Sequence, residues 1–453
     1  MSLKSINPYT NRVIEEFEEF SERKLEELLI QSGNAFEKWK RTKFGYRKSL
    51  MNKVSRLLTE NNKEYAESIT AEMGKPVSES KAEVKKCALV CDYYAKNAEF
   101  FLRNESVETD ADMSYVCYEP LGTILGIMPW NFPFWQVFRF AVPTLMAGNT
   151  VLLKHASNVQ ICARHIENIF TGSGFPSSVF RNLVIGSNKV EKIIEHDFIK
   201  AVSLTGSEFA GQKVAETAGR NIKKTLLELG GSNAFVVLAD ADVEKAVEIG
   251  IKARMQNAGQ SCIAAKRFIV HEKVSEKFIA LFKEKLNNLH PGDPTKEETN
   301  LGPLASLQQA ETVEKQVRKS VEMGARVMAG GNPDYALFPP TLLIDVRPGM
   351  PVFDEEVFGP VAPVIIAKDT AEAVALANQT KFGLGVSLFT NDLKKAKDLV
   401  HEFNDGAVFI NDLVKSDPRL PFGGTKRSGF GRELAIHGIR EFVNIKTVYF
   451  KKF

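Results

Sequence analysis

Cysteine is scarce in this chain: 5 among 453 residues, at Cys87, Cys91, Cys117, Cys162 and Cys262. The count is odd and no two form a Cys-x-x-Cys pair, which argues against a disulfide frame or a zinc site and for free thiols in a reducing compartment. Long apolar runs are lacking as well. The most apolar stretch, 132–146, is interrupted by Gln136 and Arg139 and is too short to span a bilayer. Residues 1–8 have no signal-peptide core, so a cytoplasmic protein without membrane contact is expected. Net charge is also small, +3, with Lys and Arg dispersed rather than blocked, which excludes a dedicated nucleic-acid binder. There is no internal repeat and no low-complexity segment.

What is present is ordinary globular material, 44% hydrophobic and 25% charged, and long enough for two or three domains. Ser21 is placed to cap a helix with Leu25, Leu28, Leu29, Phe36 and Trp39 on one face. Short apolar runs then recur before turn residues, at 123–128, 150–153, 182–185, 201–204 and 234–238, with charged amphipathic segments between several of them. That alternation predicts a parallel sheet covered by helices. After Cys262 the pattern restarts, with strands expected at 267–270, 341–344, 361–366, 386–389 and 407–410 and a helix near 275–289. Two α/β units dividing near 228–231 are the simplest organisation. Stretches 105–118 and 442–453 read as extended strands outside both units, and a strand at a C-terminus often leaves an edge for another subunit.

Several residues can carry chemistry. Cys262 ends Asn257-Ala258-Gly259-Gln260-Ser261-Cys262, where a thiol is either a small buried hydrophobe or a nucleophile. None of the 7 histidines neighbours it, so no local Cys–His signature supports a protease-like pair. Glu228, just before Gly230-Gly231, suits a different task, activating water against a thioester. Asn131, in Met128-Pro129-Trp130-Asn131-Phe132-Pro133, is either a helix cap or an amide donor to a developing oxyanion. Trp135 and Arg139 follow at helical spacing on the same face. Arg139 is a cation on an aromatic, apolar helix and needs a partner, either a structural carboxylate or an anionic substrate.

Lys154, at a strand end with Ser157 three residues on, can reach a nucleotide ribose or phosphate, or can be a solvated surface lysine. Thr205-Gly206-Ser207, followed by Gly211, is a strand-to-helix turn able to offer N–H groups to a phosphate, although it is not Gly-x-Gly-x-x-Gly. Glu356, in Glu355-Glu356-Val357-Phe358-Gly359-Pro360, is a candidate for ribose hydroxyls or belongs to an ordinary charged turn. The Gly-rich loop 420–429 can be a mere connector.

In this order, Pro-Trp-Asn-Phe-Pro, Glu-Leu-Gly-Gly, Gly-Gln-x-Cys, Glu-x-Phe-Gly-Pro and Pro-Phe-Gly-Gly resemble the aldehyde dehydrogenase superfamily over essentially the whole chain. The resemblance implies an α/β fold of two Rossmann-like parallel-sheet domains plus a small β element for oligomerisation. It places the cofactor-binding domain at 1–101 and 119–230, the catalytic domain at 231–430, and the oligomerisation strands at 102–118 and 440–453 of a homodimer or homotetramer. It implies that Cys262 attacks an aldehyde, that Asn131 and the Cys262 N–H hold the oxyanion, and that Glu228 activates water against the resulting thioester. It gives NADP or NAD to Trp130, Lys154, Ser157, Gly206, Ser207, Glu356 and Phe358.

Ser157 stands where NAD-preferring relatives commonly carry Glu, so NADP is expected to be accepted. The stretch 128–139, with Lys154-His155 and Ser416-Asp417-Pro418-Arg419, resembles bacterial succinate-semialdehyde dehydrogenases. That likeness gives Arg139 the substrate carboxylate, with Trp135, Ser261 and Ser416 around it. The neighbours of Cys262, Ser261 and Ile263, leave no partner for a redox disulfide. The rival readings are oxidation of another small aldehyde, such as lactaldehyde or glycolaldehyde, and a non-catalytic binding protein on the same fold. A CoA-dependent acylating enzyme fits less well, because Glu228 is present to activate water.

Overall fold

The structure is a computed structural model that describes residues 2–452. Two parallel-rich sheets dominate it. The first has six strands in the order Gly429–Phe430, Lys224–Glu228, Ile199–Thr205, Thr123–Met128, Thr150–His155 and Phe180–Asn182. All pair in parallel except Gly429–Phe430, which runs antiparallel beside Lys224–Glu228. The second has seven strands, with Asn233–Val237 and Ala265–His271 at its centre. Its one antiparallel strand, Arg326–Ala329, lies at an edge. The central strands of both sheets are buried on both faces, which is why apolar residues fill their middles, while the polar ones stand toward their ends, as Lys154 and His155, Asn233, and Lys266 and Arg267 do.

Several expected elements take their expected places. Ser21 caps the Glu22–Trp39 helix, its side chain accepting from the Lys24 N–H. The strands expected at 123–128, 341–344 and 386–389 form with those bounds. Others differ. The strand expected at 182–185 is Phe180–Asn182, since the chain leaves the sheet after the Leu183 N–H bonds Leu153 O. The stretch 105–118 breaks into Glu105–Ser106 and Met113–Pro120, which join Val443–Phe450 in a separate three-stranded sheet. An N-terminal hairpin, Ser2–Asn7 with Arg12–Glu18, was not foreseen. The first sheet also takes a strand, Gly429–Phe430, from far down the chain.

The helix after Thr123–Met128 matters most for the site. It begins at Trp135 and runs to Ala147, with every residue buried. Asn131 therefore precedes the helix instead of sharing its face, and the cap residue is Phe134, which makes no side-chain cap bond. The cap comes from another helix. Glu83, on Val77–Phe101, accepts the N–H groups of Phe134 at 2.9 Å and Trp135 at 3.0 Å. A buried carboxylate at a helix N-terminus answers both its orphan donors and its dipole.

Candidate active site

The site lies between the carboxyl edge of the first sheet and the amino edge of the second. Strand Thr123–Met128 leads into Pro129-Trp130-Asn131, Ile199–Thr205 into Gly206-Ser207, and Lys224–Glu228 into Gly230-Gly231. From the second sheet, Cys262 lies just before Ala265–His271, and Glu356 before Val361–Ala367. Ligands of open α/β sheets bind at such strand ends.

The Cys262 loop is held in a strained form. Asn257 and Ala258 have φ of 55° and 50°, and Gly259 follows at 73°. A left-handed non-glycine residue costs roughly 1–2 kcal/mol, so neighbours must enforce the turn. Asn257 donates its N–H to Glu79 at 2.8 Å, and its Nδ2 to the carbonyls of Asn131 at 2.8 Å and Gln260 at 3.0 Å. A Cβ on Gly259 would stand 2.3 Å from Gly359 O, so only glycine fits there. The Gln260 side chain ties the loop to Ala305, whose N–H it accepts at 2.9 Å.

These bonds splice the Cys262 loop to Asn131. The Asn131 Nδ2 donates to Gln260 O at 3.1 Å, which leaves a second N–H on the same amide. Among the described residues the Cys262 N–H has no acceptor, and no acceptor is bonded to its thiol either. The helix-cap alternative for Asn131 does not hold, because its amide serves this loop. Burial pushes the Cys262 thiol up to about 11, with Lys266 and Arg139 pulling it back. Cys87, Cys91 and Cys162 are buried in the core and pushed up by burial in the same way.

Two cavities meet at Cys262. One, of about 260 Å³, is lined by Trp130, Asn131, Thr205, Gly206, Ser207, Gly230, Gln309, Glu356 and Phe358. Its walls suit a dinucleotide: aromatic faces, a helix N-terminus at Glu208–Arg220 and a carboxylate. Ser207 caps that helix itself, accepting from Ala210 at 3.3 Å. Glu356 Oε1 accepts from Gly231 N at 2.9 Å and Lys266 Nζ at 2.9 Å, which leaves Oε2 without a protein donor. Lys266 also bonds Cys262 O at 2.8 Å, so one buried ammonium links the Cys262 loop to the Glu356 carboxylate. A wider cleft of about 840 Å³ shares Trp130 and reaches Asn158, beside exposed Ser157. Lys154 is buried nearby in sequence, and desolvation lowers its pKa. Neither Lys154 nor Ser157 lines the smaller cavity.

The other cavity, of about 320 Å³, reaches Cys262 from the opposite side past Trp135, Arg139, Ser261, Ser416 and Phe422. Ser416 Oγ accepts from Trp135 Nε1 at 3.0 Å and Lys86 Nζ at 2.8 Å. Arg139 lines this cavity, yet it already forms a buried ion pair with Glu433 and lies 4.6 Å over the Phe422 ring. Arg139 thus has a structural carboxylate and still faces the cavity.

Glu228 lines neither cavity. Its carboxyl is buried, without a hydrogen-bond partner, and a Cβ on Gly423 would stand 2.8 Å from its Oε1. Burial pushes it well above the ordinary carboxylate range; Arg139 draws it back, Glu433 adds to the rise, and Arg432 lowers it.

Sequence reasoning missed Glu83, Asn257, Lys266 and His155. His155 is fully buried, with Nδ1 2.9 Å from Ala156 N and 3.1 Å from Met128 O and Nε2 2.8 Å from Pro133 O. It fixes the turn that carries Asn131. The Asn and His lie within stretches already singled out, but the helix ends that Glu83 caps and the Glu356 carboxylate that Lys266 meets are distant in sequence and leave no local signal. Among the described residues no group of three or more His, Cys, Asp or Glu is arranged to hold a metal, and no helix is long and apolar enough to cross a membrane.

The sequence model of the Aldehyde dehydrogenase family matches residues 1–448. A relative from Synechocystis sp., a probable succinate-semialdehyde dehydrogenase [NADP(+)], is 47% identical over 99% of this chain and 100% of its own length. Succinate-semialdehyde dehydrogenase [NADP(+)] 1 of Mycobacterium tuberculosis strain H37Rv is 44% identical, over 99% of this chain and 100% of its own. The crystal structure of a Streptococcus pyogenes succinic semialdehyde dehydrogenase with NADP+ superposes with a TM-score of 0.97 at 36% identity, covering 99% of this chain and 100% of that one. With the thiol, the amide donor and the dinucleotide-shaped crevice in place, these likenesses settle the family: the chain belongs to the aldehyde dehydrogenase family.

Proposed function

We propose that this protein oxidises succinate semialdehyde to succinate, with NADP as preferred acceptor and NAD as the alternative. The observation that carries the reading is the position of Cys262 where a dinucleotide-shaped crevice meets a cavity walled by Trp135, Arg139 and Ser416. Relatives that carry this activity in their names match at 44–47% identity, which supports the substrate and the cofactor.

In this reading the Cys262 thiol gives up its proton to solvent, the thiolate sulfur adds to the aldehyde carbon as the carbonyl π pair moves onto oxygen, and the resulting oxyanion is held by the free N–H of the Asn131 amide and by the Cys262 N–H. When bound, the dinucleotide supplies the hydride acceptor that turns the thiohemiacetal into a thioester. Trp130, Gly206, Ser207, Glu356 and Phe358 hold it, with Lys154 and Ser157 at the adenosine end. Glu228 then takes a proton from the attacking water, reaching the thioester by rotation of its side chain, and the Cys262 thiolate leaves. A carboxyl whose pKa burial has raised is a better proton acceptor than an ordinary one.

Residues 1–101 and 119–230 form the cofactor-binding domain, and 231–430 the catalytic domain. Stretches 102–118 and 440–453 are assigned to oligomerisation. Val443–Phe450 supports this, being an edge strand with Ile445, Tyr449 and Phe450 exposed, so that pairing with a second copy would cover it. The five free thiols fit the cytoplasm.

The test is kcat/KM for succinate semialdehyde, lactaldehyde, glycolaldehyde and butanal with each cofactor. Succinate semialdehyde with NADP should rank first. A neutral aldehyde performing equally well would reject the substrate, and a large excess with NAD would reject the cofactor preference.

A further inference from the structure

A substrate carboxylate is drawn most strongly to a cation whose charge no carboxylate already meets. Arg139 is paired with Glu433, Lys415 with Asp412, and Lys75 with Glu83. Lys86, on the Val77–Phe101 helix, differs. Among the described residues no carboxylate lies within ion-pair distance of it. It is half-buried, 4.0 Å over the Trp135 ring and 2.8 Å from Ser416 Oγ, on the wall of the cavity that ends at Cys262. The nearby carboxylates are committed elsewhere: Asp417 to Arg419, Glu83 to Lys75 and two helix N–H groups, and Glu79 to the Asn257 N–H. Lys252 is also unpaired, but it stands exposed at the rim, where water solvates it.

We propose that Lys86 is the specificity residue that docks the distal carboxylate of the substrate, with the Ser416 hydroxyl as its second donor and Trp135 holding the ammonium in place. The proposal rests on the succinate semialdehyde reading above and adds a residue to it. A half-buried ammonium with only a hydroxyl and a ring for company gains most from an incoming anion, because its desolvation is already partly met. Ser416, once bonded to the carboxylate, can turn its own O–H toward it while still accepting from Trp135. Burial first, and then Arg139, lower the Lys86 pKa to about 8 against the opposing influence of Cys87, Glu83 and Asp417. The charge needed for docking is therefore present below that pH and fades above it.

The experiment compares kcat/KM for succinate semialdehyde and butanal in the wild-type protein and in Lys86→Met, Lys86→Arg and Lys252→Met. A charge-assisted hydrogen bond is worth enough that Lys86→Met should cut the preference for succinate semialdehyde by roughly ten- to a hundredfold. The loss should appear mainly in KM. Lys86→Arg should restore most of the preference, and in the wild type the preference should fall as pH rises above about 8. Lys86→Gln serves if the methionine variant does not fold. Equal losses on both aldehydes, or a preference that collapses in Lys252→Met instead, overturn the assignment. If the wild type prefers butanal or neither aldehyde, the substrate reading itself fails; if it prefers succinate semialdehyde and Lys86→Met keeps that preference, only the Lys86 assignment fails.

Discussion

Replacing Arg139 with methionine should destabilise the fold before it says anything about substrate. The guanidinium and the Glu433 carboxylate are 2% and 3% exposed, so neither charge has water to fall back on. Glu433 has no other hydrogen-bond partner, and Glu228 lies close enough for Arg139 to lower its pKa. Removing one partner of a buried pair typically costs about 3–5 kcal/mol, because the remaining charge is stranded. Methionine keeps much of the volume and the packing on Phe422, so the loss reports charge rather than a cavity. The assay is urea unfolding at neutral pH of the wild type, Arg139→Met, and Arg139→Met with Glu433→Leu. The single variant should lose several kcal/mol and the double variant should regain most of it. The deficit of the single variant should shrink as pH falls, since Glu433 can then take up a proton. A single variant within about 0.5 kcal/mol of wild type, in the range of an ordinary surface change, would refute the structural role of the pair.

Two further outcomes follow from the same geometry. Ser157→Glu should lower kcat/KM with NADP by roughly tenfold or more through repulsion of the 2′-phosphate, while NAD use holds or improves; equal losses with both cofactors would remove Ser157 from the cofactor site. His155 is held neutral, its pKa lowered to about 4 by burial. Since this folded value lies below the unfolded one, the stability it carries is present above about pH 6.5 and is lost as pH falls toward 4. Between pH 7 and 5 the wild type should lose about 2 kcal/mol relative to His155→Gln; parallel pH profiles for the two proteins would contradict the assignment.

The parts legible in the sequence were those with local signatures. Strands such as Thr123–Met128 and Val386–Phe389 announce themselves because both faces are buried and all positions but one in each, Thr123 and Ser387, lack a polar side chain. Cys262, Glu228, Asn131 and Glu356 stand in short motifs at strand ends, where the sheet topology brings them to one crevice or beside it. The partners of those residues were not legible. Nothing near Arg139 indicates that Glu433 will neutralise it, nothing near Trp135 that Glu83 will cap its helix, and nothing near Lys86 that it will be left without an anion. Each of these depends on which groups far apart in the chain are brought together when the elements pack, and periodicity carries no information about it. The position of Arg139 was thus readable while its first duty was not.

The central claim is that Cys262 carries the acyl group and Glu228 releases it. Mass spectrometry of Glu228→Gln after mixing with succinate semialdehyde and NADP tests both at once. The account predicts one NADPH per protein chain in a burst, followed by slow turnover, with a single succinyl group on Cys262 and none on the buried Cys87, Cys91 or Cys162. A burst without an adduct, an adduct on another residue, or undiminished steady turnover would contradict it.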